Sequence, residues 1–202
     1  MFTNPREVCY QCYRPQSSCM CKHIVPLQTQ TKFIILMHPK EFKRTKNGTG
    51  HFTHLSLKNS EIFIGINFSE DEKINHILNQ PNTLCYVLYP SDTSINLTQE
   101  TLNHQGKNIV IFLIDSTWPC SRAMLKASPN INTLPKISFT STKRSAFTFK
   151  EQPQAYCLST MESTLCLLEE LNRHQIENLE SQDLEKFLTP FHQMVKYQLN
   201  YS

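Results

Sequence analysis

Glycine is scarce in this 202-residue chain: there are four, and none falls in the spacing of a P-loop or a Rossmann fingerprint. A nucleoside-triphosphate or dinucleotide cradle of those kinds is therefore set aside. No apolar run approaches the roughly 20 residues that a membrane span requires. The opening MFTNPREV lacks the apolar core of a signal peptide, so the expected location is cytoplasmic, with no membrane partner. The eight histidines are dispersed and none forms HExxH. There is no low-complexity tract, no block of like charges and no internal repeat, and charged residues make up 18% of the chain beside 39% hydrophobic ones, the balance of a folded domain. No feature points to an obligate protein partner.

What is present begins with cysteine. The eight thiols of a cytoplasmic chain are read as metal ligands or small buried residues, not as a disulfide framework. Four of them, Cys9, Cys12, Cys19 and Cys21, lie in CYQCYRPQSSCMC, a stretch too short and polar to build a core. Two close pairs separated by a six-residue loop place four soft thiolates within reach of one tetrahedral structural zinc, with His23 as a possible substitute ligand. The other four cysteines are scattered.

Charge is uneven. Residues 22–60 hold seven Lys/Arg against the single acid Glu41, and residues 116–150 hold six with no acid. Brought together, the two blocks would form a cationic face for a polyanion such as RNA; kept apart, they are two solvated surfaces.

From residue 32 the pattern turns to continuous apolar runs: Phe33–Met37, Ile62–Ile66, Leu84–Tyr89 and Ile109–Ile114. Such runs read as strands buried on both faces, and the helical-length segments between them, for example Glu70–Asn79, predict βαβ units around a parallel sheet. Ser159-Thr160-Met161-Glu162 has the form of a capping box. The last apolar stripe, from Leu184 to Val195, contains Thr189-Pro190, either a kink or a second helix start.

The run Ile109–Ile114 delivers Asp115-Ser116-Thr117-Trp118 to a strand's carboxyl end, where open α/β sheets bind ligands. Asp115 reads either as a proton acceptor with a perturbed pKa or as a helix cap, and Trp118, the sole tryptophan, as site or core. A second cluster, HPKEFKRTKNGTG, combines cations with two glycines that permit close backbone approach to an anion. Leu88-Tyr89-Pro90-Ser91 and Leu158-Ser159-Thr160 are further polar strand ends, and the three ends together suit a small ligand with an adenine and an amino-acid end. Cys120 and Ser116 have no activating base beside them in sequence, which argues against nucleophilic catalysis.

In order and spacing, CYQCYRPQSSCMC, HPKEFKRTKNGTG, LYPS, DSTWPCSRAM and LSTME resemble the successive motifs of the DTW-domain family, over nearly the whole chain. The resemblance implies a SPOUT-like α/β domain over 32–202, a mostly parallel sheet with helices on both faces and a knotted C-terminal region, preceded by a zinc-binding element over 1–31. It also implies transfer of a 3-amino-3-carboxypropyl group from S-adenosylmethionine to a tRNA uridine. On this reading Asp115 is catalytic, and Leu88, Tyr89, Pro90, Ser116, Thr117, Trp118, Leu158, Ser159 and Thr160 hold S-adenosylmethionine. Lys43, Arg44, Lys46, Lys143 and Arg144 would contact tRNA phosphates. Ser116 stands where the family often has glycine. An S-adenosylmethionine-dependent RNA methyltransferase and a non-catalytic zinc-containing RNA-binding protein are the alternatives.

Overall fold

The computed structural model describes residues 7–43, 48–141, 145 and 158–200. Strands β1 (Lys32–Met37), β2 (Ser60–Ile64), β3 (Thr83–Leu88), β4 (Ile95–Asn96), β5 (Asn108–Asp115) and β6 (Lys136–Ser138) form one sheet in the order β2-β1-β5-β3-β6-β4. Every pairing is parallel. β5 is central, between β1 and β3, and Ile109–Leu113 is buried throughout. This is why that strand has no polar alternation: a parallel sheet covered on both sides requires apolar residues on each.

The covering helices sort by face. Phe33, Ile35, Ile111 and Leu113 pack against Phe52 of α2 (Gly50–Leu55), Leu165 and Leu168 of α6 (Thr160–Arg173), Phe187 of α7 (Ser181–Phe187) and Phe191 of α8 (Thr189–Asn200). Ile34, Leu36, Val110 and Phe112 point the other way, onto Ile74 and Ile77 of α3 (Glu72–Leu78), Met124 and Leu125 of α4 (Trp118–Ala127) and Ile131 of α5 (Pro129–Asn132). The side-chain period of two along a strand thus feeds two cores, each large side chain contributing roughly 1.5–3 kcal/mol on full burial. The α/β class and the helices on both faces are as expected.

The four expected strands appear, shifted by a residue or two at their ends. β4 and β6 carry too little apolar length to be seen in the sequence; β6 is three residues with Ile137 alone buried. β6 lies between β3 and β4, although those two are consecutive in the chain. Most of the chain from β6 to α6, on which a knotted C-terminal region would depend, lies outside the described residues. Thr189-Pro190 opens a second helix: α7 ends at Phe187, Leu188 is the joint, and Pro190 occupies the first turn of α8, where a missing N–H costs nothing.

The described residues before β1 contain two short 3-10 turns, Gln16–Ser18 and Cys21–His23, and little else that is regular. Their link to the sheet is anchored by Glu177, whose buried carboxylate accepts from the amides of Gln30 (2.9 Å) and Thr31 (2.7 Å). Among the described residues no helix is long and apolar enough to cross a membrane.

Candidate active site

Parallel register places the carboxyl ends of three strands side by side: Met37 of β1 beside Asp115 of β5, and Leu88 of β3 beside Leu113. The amide of His38 donates to the Asp115 carbonyl at 3.0 Å, extending the ladder one residue past β1.

Asp115 is buried, 6% exposed. Its side chain does not cap the next helix; Thr117 holds the N-cap position of α4. Instead its Oδ1 accepts a 2.6 Å hydrogen bond from the hydroxyl of Thr160, the first residue of α6. Thr160 is placed by the expected capping box: the Ser159 hydroxyl accepts from the Glu162 amide (3.2 Å), and Glu162 Oε2 accepts from the Ser159 amide (2.8 Å) and the Ser145 hydroxyl (2.8 Å). On the other side is Gly50, the first residue of α2. A Cβ there would collide with the Asp115 carboxylate, lying 2.7 Å from Cγ, and would sit 2.7 Å from Met37 Cε. The second glycine of NGTG is thus required by the close approach of a helix start to an acid, a role the sequence had suggested for a bound anion.

Beside Asp115 opens a cleft lined by Leu88, Tyr89, Leu113, Ile114, Ser116, Trp118, Ser121, Leu158, Thr160 and Ser163. Leu88, Tyr89, Ser116, Trp118, Leu158 and Thr160, named from the sequence, line this one cleft. Pro90, Thr117 and Ser159 adjoin them in the chain without lining it: Thr117 and Ser159 begin helices, and Pro90 follows Tyr89 on the exposed side. Leu113, Ile114, Ser121 and Ser163 were not anticipated. The last two follow from helical spacing, each lying three or four residues beyond a site residue on α4 or α6. The Ser121 hydroxyl lies 2.7 Å from the Ser116 hydroxyl and donates to the Thr117 carbonyl at 3.1 Å. Trp118 is not core. It is 37% exposed and meets Tyr89 edge to face at 5.8 Å, so two aromatic rings stand at the lip.

The four N-terminal cysteines converge, with all their sulfurs within 4.8 Å of one another. Cys9 and Cys21 Sγ are 3.7 Å apart and Cys12 and Cys19 Sγ 3.8 Å apart. Four sulfurs at about 2.3 Å from a tetrahedral zinc are about 3.8 Å from each other, so the donor set fits that ion. Amides of Cys12 and Gln11 hold the Cys9 thiol down to about 7, while burial pushes Cys12 and Cys21 up.

Arg14, which the sequence reading passed over, joins this cluster to the sheet. It is 3% exposed; its guanidinium lies 4.3 Å from the Phe52 ring centroid and donates to the Gly48 carbonyl (2.9 Å) and Met194 Sδ (3.0 Å). Burial lowers its pKa to about 10, so it stays charged at neutral pH. Tyr13 beside it, in the left-handed backbone region at φ 58°, packs with Phe42 of α1 (Pro39–Lys43) and His51. Lys43 ends α1 exposed, whereas Arg44, Lys46, Lys143 and Arg144 lie outside the described residues.

Residues 6–199 match the DTW domain family. The tRNA-uridine aminocarboxypropyltransferase 2 of Drosophila melanogaster is 30% identical over 205 residues, covering 98% of this chain and 77% of the fly protein. The mouse protein of the same name is 26% identical over 97% of this chain and 65% of its own length. The tRNA-uridine aminocarboxypropyltransferase A of Arabidopsis thaliana is 28% identical over 61% of this chain and 52% of its own length. No solved structure matches. With five ordered motifs and a match across almost its full length, the chain belongs to the DTW-domain family.

Proposed function

We propose that this chain transfers the 3-amino-3-carboxypropyl group of S-adenosylmethionine to a ring nitrogen of a tRNA uridine, forming 3-(3-amino-3-carboxypropyl)uridine and releasing methylthioadenosine. The observation that carries the reading is the buried Asp115 carboxylate, held at one oxygen by Thr160 beside a cleft of apolar walls and hydroxyls. The names of the fly, mouse and Arabidopsis relatives supply the reaction class.

The chemistry asks little of the protein beyond alignment and a proton acceptor. A bond forms between the uridine imide nitrogen and the methionine-chain carbon attached to the sulfonium. That carbon–sulfur bond breaks, its electron pair leaves on sulfur, and the imide proton passes to a base. Asp115 is the group we assign to orienting or accepting that proton, with no covalent enzyme intermediate. Leu88, Tyr89, Pro90, Ser116, Thr117, Trp118, Leu158, Ser159 and Thr160 are assigned to the S-adenosylmethionine pocket. Lys43 with Arg44, Lys46, Lys143 and Arg144 is assigned to tRNA phosphates, and a uridine in a loop suits recognition of splayed bases.

Zinc is the ion we assign to Cys9, Cys12, Cys19 and Cys21. Four thiolates leave no open coordination position, so its role is structural, and a cytoplasmic setting keeps such thiols reduced. We retain the division into a zinc element over 1–31 and a SPOUT-like domain with a knotted C-terminal region over 32–202.

Mass spectrometry of tRNA incubated with protein and S-adenosylmethionine tests the reading. The expected gain is that of an aminocarboxypropyl group; a methyl gain, or none, overturns it.

A further inference from the structure

We propose that a second groove, adjoining the cleft across Tyr89, carries the phosphate backbone of the tRNA strand flanking the target uridine; this deepens the function proposed above and rests on it. The groove encloses about 330 Å³ between α4, α5 and the start of β6, and its walls include Arg122, Lys126, Asn132, Thr133 and Lys136. Tyr89 belongs to both linings, so the two spaces meet at one ring.

The groove's polar chemistry is one-sided. Arg122 and Lys126 are four apart on α4 and share a face. Lys136 is fixed by donating from Nζ to the Asn132 carbonyl at 3.0 Å, which holds its ammonium in the wall. No acid lines the groove, and none occurs anywhere in residues 116–150. Where a lysine or arginine of this fold does meet a carboxylate, it pairs closely: Lys32 with Glu61 and Arg173 with Glu170, each at 2.6 Å. Among the described residues Arg122 and Lys126 have no carboxylate partner. Three cations, an amide and a hydroxyl along a channel ending at a half-buried aromatic ring are the complement of a polyanionic strand whose terminal base stacks. Uridine modification requires the strand on at least one side of the base to leave the cleft, and this channel starts there.

The test is direct binding of an in vitro transcribed tRNA across a salt series, for the parent chain, Arg122→Glu/Lys126→Glu, and a control of equal charge change, Lys73→Glu/Lys186→Glu, on the exposed faces of α3 and α7. The groove variant is expected to bind at least about tenfold more weakly. Its log affinity should fall with log salt less steeply by roughly 1.4–1.8, two phosphate contacts' worth. S-adenosylmethionine affinity and melting temperature should match the parent. Binding equal to the control, or an unchanged salt slope, overturns the groove. The outcomes separate from those of the function itself: a parent that transfers the group while the groove variant binds normally sinks only the groove. A parent that binds tRNA through the groove without transferring anything sinks only the reaction, and a parent that does not bind tRNA sinks both.

Discussion

Two parts of this molecule are held together by different physics, and one place where they meet is the loop behind Asp115. The sheet and its helices are stabilised by apolar burial on two faces, with side chains such as Phe33, Phe112, Ile74 and Leu168 fully enclosed. The described residues before β1 have almost no regular structure; their enclosed groups are Cys9, Cys12, Arg14, Met20, Leu27, Thr29 and Thr31, of which Cys9, Cys12, Met20 and Leu27 join the core on one face of the sheet. So few apolar side chains do not offset the ordering of some 25 residues without a cross-link, a metal or the packing they share with the sheet. Several contacts join the two parts: Leu27 exchanges backbone hydrogen bonds with Ser56 and Lys58, Glu177 accepts from the amides of Gln30 and Thr31, and Arg14 reaches the Gly48 carbonyl two residues before Gly50 presses on Asp115. The difference teaches that the cysteine cluster is built into the site's support: what fixes the cysteines fixes Arg14, and what fixes Arg14 fixes the loop behind the acid.

The largest expected effect lies on the sheet side. Asp115→Asn keeps the shape and the Thr160 contact but removes the group proposed to accept the proton, and should lower transfer by about 10²–10⁴-fold while tRNA binding stays near that of the parent. Unchanged turnover would take Asp115 out of the reaction. Next is Gly50→Ala, a single methyl placed against the Asp115 carboxylate. A displacement of about 1 Å at the reacting group costs on the order of 10²-fold, so kcat should fall by about that much with the melting temperature changed far less in proportion. Full activity in Gly50→Ala would mean that α2 can shift freely, and the proposed support would fail.

Metal removal tests the other side of the comparison. Metal analysis should give one zinc per chain, and Cys12→Ser should abolish it. Far-ultraviolet circular dichroism should still show the sheet and its helices, because only one of the two cores shares Cys9 and Cys12 with the cluster and the opposite core contains none of the four cysteines. Transfer should nevertheless drop by about tenfold as the Gly48–Gly50 segment loses its anchor. Arg14→Ala reproduces that loss with zinc still bound, and costs about 2–4 kcal/mol of stability through the lost guanidinium bonds and packing on Phe52. If chelation collapses the whole fold, the two parts are one cooperative unit and the contrast is wrong.

Much of this was legible in the sequence, for reasons that differ by region. The four longer strands show as continuous apolar runs because both faces are covered, and the capping box at Ser159 is a local pattern with a local cause. The cysteine cluster is legible because four thiols need only short loops to converge. β6 was not, since one buried isoleucine in three residues has no periodicity to read. Arg14 was not, because its partners Gly48, Phe52 and Met194 are 34, 38 and 180 residues away along the chain. Trp118 reads equally well as core or lip until the turn after Asp115 sets its direction.

The smallest expected effect sharpens where the two parts touch. His51 is buried between Tyr13 and Phe42, and burial pushes its pKa down to about 4, with the nearby His54 and Arg14 acting in the same direction. The folded chain therefore holds His51 neutral where the unfolded chain, with an ordinary histidine pKa of about 6.5, takes up a proton. Between those values the unfolded state binds more protons, so the contribution is fully present above about 6.5 and is lost as pH falls toward about 4. His51→Phe keeps an aromatic ring in the triangle and has no proton to exchange. Denaturant unfolding of zinc-loaded protein at intervals across that window should show the variant losing less stability than the parent with falling pH, and the two changing alike above pH 7. Equal slopes throughout would mean that water already reaches the imidazole, and that the seam between the cysteine-bearing segment and α2 is open where burial indicates it is closed.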